Sequence, residues 1–108
     1  MPISAEITGG ACGFKTTVNA VSPDGMHVDL QIESDCPQVR ALAAELTSLD
    51  AFHQVLRTPL VETIPARLAA KHGLHTTCPA PVGILKAVEA AAGLALPADA
   101  CINLTRIE

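Results

Sequence analysis

The chain reads as an α+β protein in which an antiparallel three- to four-stranded sheet carries its helices packed on one face. Three observations predict this class. Met26, Val28, Leu30 and Ile32 alternate with His27, Asp29, Gln31 and Glu33, the period of a strand with one buried and one wet face. From Pro37 the period lengthens, so that Val39, Leu42, Ala43, Leu46 and Leu49 fall on one helical stripe while Arg40 and Glu45 lie off it. Strand-like segments come first and helix-like segments after, which favours layers of segregated elements over alternating βαβ units.

Each element has its own warrant. "ISAEIT" and "FKTTVNAVS" carry β-branched residues in rough alternation. Pro23, Asp24 and Gly25 form a turn: proline presets φ, aspartate bonds nearby backbone, and glycine tolerates positive φ. A hairpin follows. Pro59 and Pro65 interrupt the stretch from Asp50 to Gly73, which is read as one or two short helices ending at Gly73. The last helix is expected over roughly Pro81 to Ala92, with Ile84, Leu85, Val88 and Ala91 or Ala92 inward and Gly93 as its stop. Beyond it, a turn at Pro97 to Asp99 should lead into a final alternating strand in "ACINLTRIE".

The 108 residues and 49% hydrophobic content suit a single domain, 1–108, with a modest core. A net charge of -4 with no Trp or Tyr supplies neither a basic stripe nor stacking platforms, so nucleic-acid binding is not expected. No apolar run approaches the roughly 20 residues of a membrane span. "MPISAEITGG" lacks the basic start and apolar stretch of a signal peptide, and a cytoplasmic location is expected. In that compartment four cysteines are thiols, metal ligands or redox groups rather than structural disulfides.

Two stretches rhyme. "SDCP" precedes the first helical stripe and "TTCP" precedes the last, so that Cys36 and Cys78 each stand before a proline where a helix begins. Proline suits the first helical position, where its missing N–H costs nothing, and it pushes the preceding residue into extended backbone. The unpaired N–H groups at a helix mouth favour an anion, the form in which a thiol binds metal or attacks sulfur. Cys36 is expected as the cap itself, and Cys78 as either the cap or a residue just before it. Cys12 lies between Gly10 and Gly13 in "GGACGF", where an unusual backbone and close approach of other groups are permitted. If the layers pack as read, these three thiols converge at one end of the sandwich.

The order of strand, "ACG" loop, hairpin, strand, cysteine at a helix start, helices and a "HTTC" cysteine opening a last helix resembles the iron-sulfur cluster scaffold proteins of the IscU and NifU N-terminal type. The spacing of Cys12, Cys36 and Cys78 is similar to that family's, and the resemblance covers about Ile3 to Gly93. It implies that Cys12, Cys36 and Cys78 bind zinc or a nascent iron-sulfur cluster, with a cysteine desulfurase or an apoprotein client as partner. The chain departs from the pattern at Phe14, where the family has aspartate after its first Cys-Gly, and at Thr77, where it has histidine. His75, three positions before Cys78, could substitute. "KHGLH" stands in the region of the family's Leu-Pro-Pro-Val-Lys chaperone motif, so hand-off through the dedicated Hsp70 system is not implied. The sequence also looks like small uncharacterised proteins of anaerobic bacteria and archaea that carry "CGF", a central "S-x-C" and "CP-x-P-x-GILKA-x-E".

The expected function is therefore a metal- or cluster-binding thiol protein, a scaffold or carrier, with Cys12, Cys36 and Cys78 as ligands and His75 or Asp35 as the fourth. Three thiolates plus histidine or water make a tetrahedral zinc site, and clusters accept the same donors. Two alternatives stand beside it: a persulfide acceptor with Cys36 or Cys78 as nucleophile, and a metal-free structural or interaction domain. Cys101 is read as a small packed hydrophobe in the last strand, and His27, His53 and His72 as solvated side chains. No phosphate loop, "CxxC" pair or "HExxH" helix is present, and no acid/base pair stands out among Asp29, Glu33 and Asp35.

Overall fold

The computed structural model describes residues 1–108. Strands β1 (Ile3–Thr8), β2 (Lys15–Val21), β3 (His27–Ser34) and β4 (Ser48–Asp50) form one antiparallel sheet in the order β1-β2-β3-β4. Helices α1 (Pro37–Ala44), α2 (Ile64–Lys71) and α3 (Ala80–Ala91) complete the α+β architecture. Helix α3 lies against β1 and β2, α1 against β3, and α2 against both helices.

Alternation decides which face is covered. Thr16, Val18 and Ala20 of β2 are buried, as are Val28 and Leu30 of β3, while Lys15, Asn19, Asp29 and Gln31 face water. The register sets Val18 opposite Ile32 and Ala20 opposite Leu30, so one apolar stripe crosses the sheet. Ile84, Val88 and Ala91 of α3 and Leu42 of α1 close over it in a single core. Met26, expected on the inner face, is 52% exposed because it belongs to the turn, one residue before β3 begins.

The β2–β3 turn is held as its residues dictate. Gly25 takes φ +76. The Asp24 carboxylate accepts the backbone N–H of Met26 at 2.9 Å and of His27 at 2.8 Å. The Ser22 hydroxyl accepts the Gly25 N–H and donates to the His27 carbonyl. Those backbone donors, joined by the His27 ring, lower the Asp24 pKa to about 2; the same carboxylate raises that of His27.

The first helix stops sooner than its stripe predicts. It ends at Ala44; Leu46 is buried from the following turn, and Leu49 lies in β4 opposite Val28. Both leucines serve the expected core, but the ladder to β3 offers this backbone more than continued helix would. Between Asp50 and Gly73 the chain forms a π-helical turn at Phe52–Arg57, a 3-10 turn at Leu60–Glu62, and α2. Thr63 caps α2 through its hydroxyl, which accepts the Ala66 N–H, and Gly73 follows at φ +69. Helix α3 buries Ala87 and Ala90 as well as Ile84 and Val88, whereas Leu85 is half-buried.

The final strand is a correction. Beyond Ala98 no backbone group bonds to the body of the protein, and Ile102 and Leu104 are 88% and 93% exposed. Alternation alone does not make a strand without a ladder partner. Cys101 is consequently exposed rather than packed. No helix is long and apolar enough to cross a membrane.

Candidate functional site at one end of the sheet

The chain's own geometry brings the β1–β2 loop, the start of α1 and the approach to α3 to one end of the sandwich. Gly9 receives a hydrogen bond from no side chain, but its N–H donates to the Phe14 carbonyl at 2.9 Å and closes the loop. Inside it, Gly10–Cys12 makes a 3-10 turn, ended by Gly13 at φ +72. Gly9 is also where the Cys12 sulfur rests, since a Cβ added there would run into Sγ. The glycines thus present an exposed thiol on a short, tightly closed loop.

Cys36 is the cap of α1, in extended backbone (φ -81, ψ 123), with Pro37 at the first helical position. Its N–H donates to the Ser34 hydroxyl at 3.1 Å and its carbonyl accepts the Arg40 N–H at 2.9 Å. The side chain makes no cap bond; instead the thiol donates to Gln38 Oε1 at 3.2 Å. The Arg40 guanidinium donates to the carbonyls of Ser34 and Asp35, fixing the turn that carries Cys36. Cys78 stands one residue before the cap of α3, which is Pro79. Its N–H donates to the His75 carbonyl at 3.0 Å, so His75 to Cys78 form a turn rather than a cap.

These segments share a cleft of about 160 Å³ whose lining includes Cys12, Cys36, Cys78, His75, Gln38 and Thr77, with Ile7, Val39 and Phe14 among its apolar walls. All four cysteines are free, and Cys101 lies outside the cleft, on the exposed C-terminal segment. Asp35 is not part of the cleft lining. Its carboxylate accepts the Lys15 N–H at 3.3 Å, tying the end of β3 to the start of β2. That bond holds the carboxylate at the end of the sheet, apart from the cleft that His75 lines.

The donor types suit a soft or borderline metal, since thiol sulfur and imidazole nitrogen are the ligands of zinc and of iron-sulfur clusters. They line a common space without already forming a ligand set: no three His, Cys, Asp or Glu side chains are gathered closely enough to hold an ion. Bringing sulfur atoms together requires side-chain rotation, including release of the Cys36 thiol from Gln38. Close approach at the glycines around Cys12 is expected from sequence and is found at Gly9, whereas Gln38 is not among the residues the sequence points to. Side chains two apart do not face each other within a helix, and Gln38 reaches the Cys36 thiol only because Cys36 is a cap in extended backbone.

The remaining histidines are tied to carboxylates away from the cleft. His27 pairs with Asp24, His53 with Asp50, and His72 with Glu45. The His53 ring, followed by its backbone N–H, lowers the Asp50 pKa; Lys71, followed by His72, lowers that of Glu45. The first two are local i,i+3 pairings that brace turns, and the third joins the end of α1 to the end of α2.

A family model described as a family of unknown function, DUF6951, matches residues 3–104. The chain belongs to the DUF6951 family. That match takes in the whole cleft of this DUF6951 chain, and also Ile102 and Leu104 of its exposed segment. No curated protein and no solved structure matches the chain.

Proposed function

We propose that the chain is a metal- or iron-sulfur-cluster-binding thiol protein, a scaffold or carrier in iron-sulfur or sulfur metabolism. The observation that supports it is the shared cleft lined by Cys12, Cys36, Cys78 and His75 at the mouths of two helices. In this reading the three cysteines supply sulfur, and His75 supplies the fourth donor. A bound zinc or cluster would contribute Lewis acidity or bridging sulfide; the chain's part is to hold soft donors beside apolar walls that limit water. The likeness in element order and cysteine spacing to scaffolds of the IscU and NifU type belongs to the same proposal. A cysteine desulfurase or an apoprotein client is the corresponding partner, and a cytoplasmic setting is proposed because the site needs reduced thiols.

Elemental analysis and an absorption spectrum, taken on protein purified without oxygen or chelator, test this reading. Near-stoichiometric iron and sulfide, or near-stoichiometric zinc, is expected, with loss on changing any one of Cys12, Cys36 and Cys78 to Ser. Retention of full metal content in all three variants would remove the assignment.

A second reading, sulfur transfer, is favoured by the separation of the thiols in the resting cleft. Here the thiolate of Cys36 or Cys78 attacks the outer sulfur of a donor persulfide; the donor's S–S bond breaks, its thiolate leaves, and the sulfur is kept as a persulfide on the attacking cysteine. One of Cys36 and Cys78 would then alkylate faster than the other thiols of the cleft. Equal rates at all three, no faster than a free peptide thiol, argue against it.

A further inference from the structure

The segment after α3 is amphipathic as a strand yet touches nothing. Ile102 and Leu104 alternate with Cys101, Asn103 and Thr105. All of these residues are exposed, and no backbone bond joins the segment to the body. The molecule is 49 Å along its longest axis against 27 and 24 Å on the others.

The sheet offers one edge suited to such a strand. β1 is six residues long, pairs only with β2, and contains neither proline nor lysine to discourage further pairing. The opposite edge, β4, has three residues and is too short to serve as a template. On β1, Ile3 and Ala5 lie against the core but remain half-exposed, while Ser4, Glu6 and Thr8 face water. The helix side of this edge is therefore apolar and incompletely covered.

We propose that Cys101–Arg106 of one copy adds as a fifth strand to the β1 edge of a second copy. Ile102 and Leu104 then cover Ile3 and Ala5, and Asn103 and Thr105 join the wet face. Alternation satisfies both faces whichever direction the added strand runs, because the side-chain period is two. A second copy is the occupant because the segment leaves the body of its own chain without a single backbone bond to it. Reciprocal exchange uses both segments and both edges in a closed two-fold dimer, leaving no β1 edge open to further addition. The family match extends through Leu104, so the segment belongs with the domain rather than to an appended sequence.

Light scattering on the reduced full-length chain is the test, with hydrogen exchange on the same sample. The expected mass is twice the 11.2 kDa of one chain, with slow exchange in β1 and in Cys101–Arg106. The double variant Ile102→Asp with Leu104→Asp should fall to the single-chain mass while slow exchange in β2, β3 and α3 is retained, since these side chains take no part in the core. A wild-type monomer overturns the proposal; if its segment is nonetheless protected, the strand has added to its own chain's β1. A double variant that stays dimeric also overturns it and moves the interface elsewhere.

Discussion

At the scale of single residues, close approach decides more than polarity. Gly83 sits in the interior of α3, where glycine costs about 1 kcal/mol relative to alanine. It is there because the helix lies on β1: a Cβ at this position would run into the end of the Ile7 side chain. Two opposed effects therefore act on Gly83→Ala, the helix preference of about 1 kcal/mol and an overpacking cost of about 1–3 kcal/mol. The second is larger, and Gly83→Ala should lower unfolding free energy by about 1 kcal/mol. Ile7→Ala alone should cost about 2–5 kcal/mol by leaving a cavity. In that background the same Gly83→Ala change should stabilise, because its methyl enters vacated space. Denaturant titration of the four proteins measures the coupling, and additive effects would mean that α3 shifts freely on the sheet. Such contacts were invisible in sequence, where Gly83 is only a tolerated break in a helical pattern. Asp35 is a related case: its place beside Cys36 is legible in sequence, but the Lys15 N–H that its carboxylate accepts is not.

At the scale of elements, one cluster of charged and polar side chains joins the ends of α1 and α2. Glu45 follows the last residue of α1, and its carboxylate receives hydrogen bonds from Lys71 at 2.7 Å and from the His72 ring. Lys71 ends α2 and His72 caps it, so the Lys71 ammonium also meets the negative end of that helix's dipole. The pairing lowers the Glu45 pKa, Lys71 contributing most and His72 next. A carboxylate with a depressed folded-state pKa stabilises the fold above its unfolded value, about 4.3, and loses that contribution as pH falls through the lower folded value. Glu45→Gln should therefore melt below wild type at pH 7, with the two curves converging as pH falls below the lowered folded-state value. Thermal melts across that range check it; a gap that persists in acid would assign the effect to packing. The elements themselves were largely legible: β2, β3, α1 and α3 follow from alternation, proline and glycine. β4 was not, because Leu46 and Leu49 satisfy helical spacing equally well, and only pairing with β3 distinguishes the two. The alternating segment after Pro97 failed in the opposite sense, having a strand's pattern without a partner in its own chain.

At the scale of the whole molecule, the candidate site is a product of topology. Cys12, Cys36 and Cys78 come from three segments that the sheet and its helix layer carry to one end, held in register by the packed core and, between the first two, by the β2–β3 ladder and the Lys15–Asp35 bonds. Convergence was inferable from sequence because each cysteine precedes or follows an element whose direction the α+β architecture sets. The geometry within the cleft was not, since it depends on rotamers and on Gln38. A ligand bound by all three segments would link them a second time, and binding to the native state alone raises stability by about 2.7 kcal/mol at a hundredfold excess over Kd. For a domain of about 100 residues this corresponds to a rise in Tm of about 10–20 °C. Zinc or a reconstituted cluster should produce that rise, and a chelator should reverse it. Cys12→Ser, Cys36→Ser and Cys78→Ser should each abolish most of the rise, whereas Cys101→Ser should leave it intact, since Cys101 lies outside the cleft. The pattern of four variants is the decisive readout. Loss confined to one cysteine would point to a single reactive thiol and the persulfide reading, and equal rises in all four would mean that the stabilising ligand binds somewhere other than this cleft.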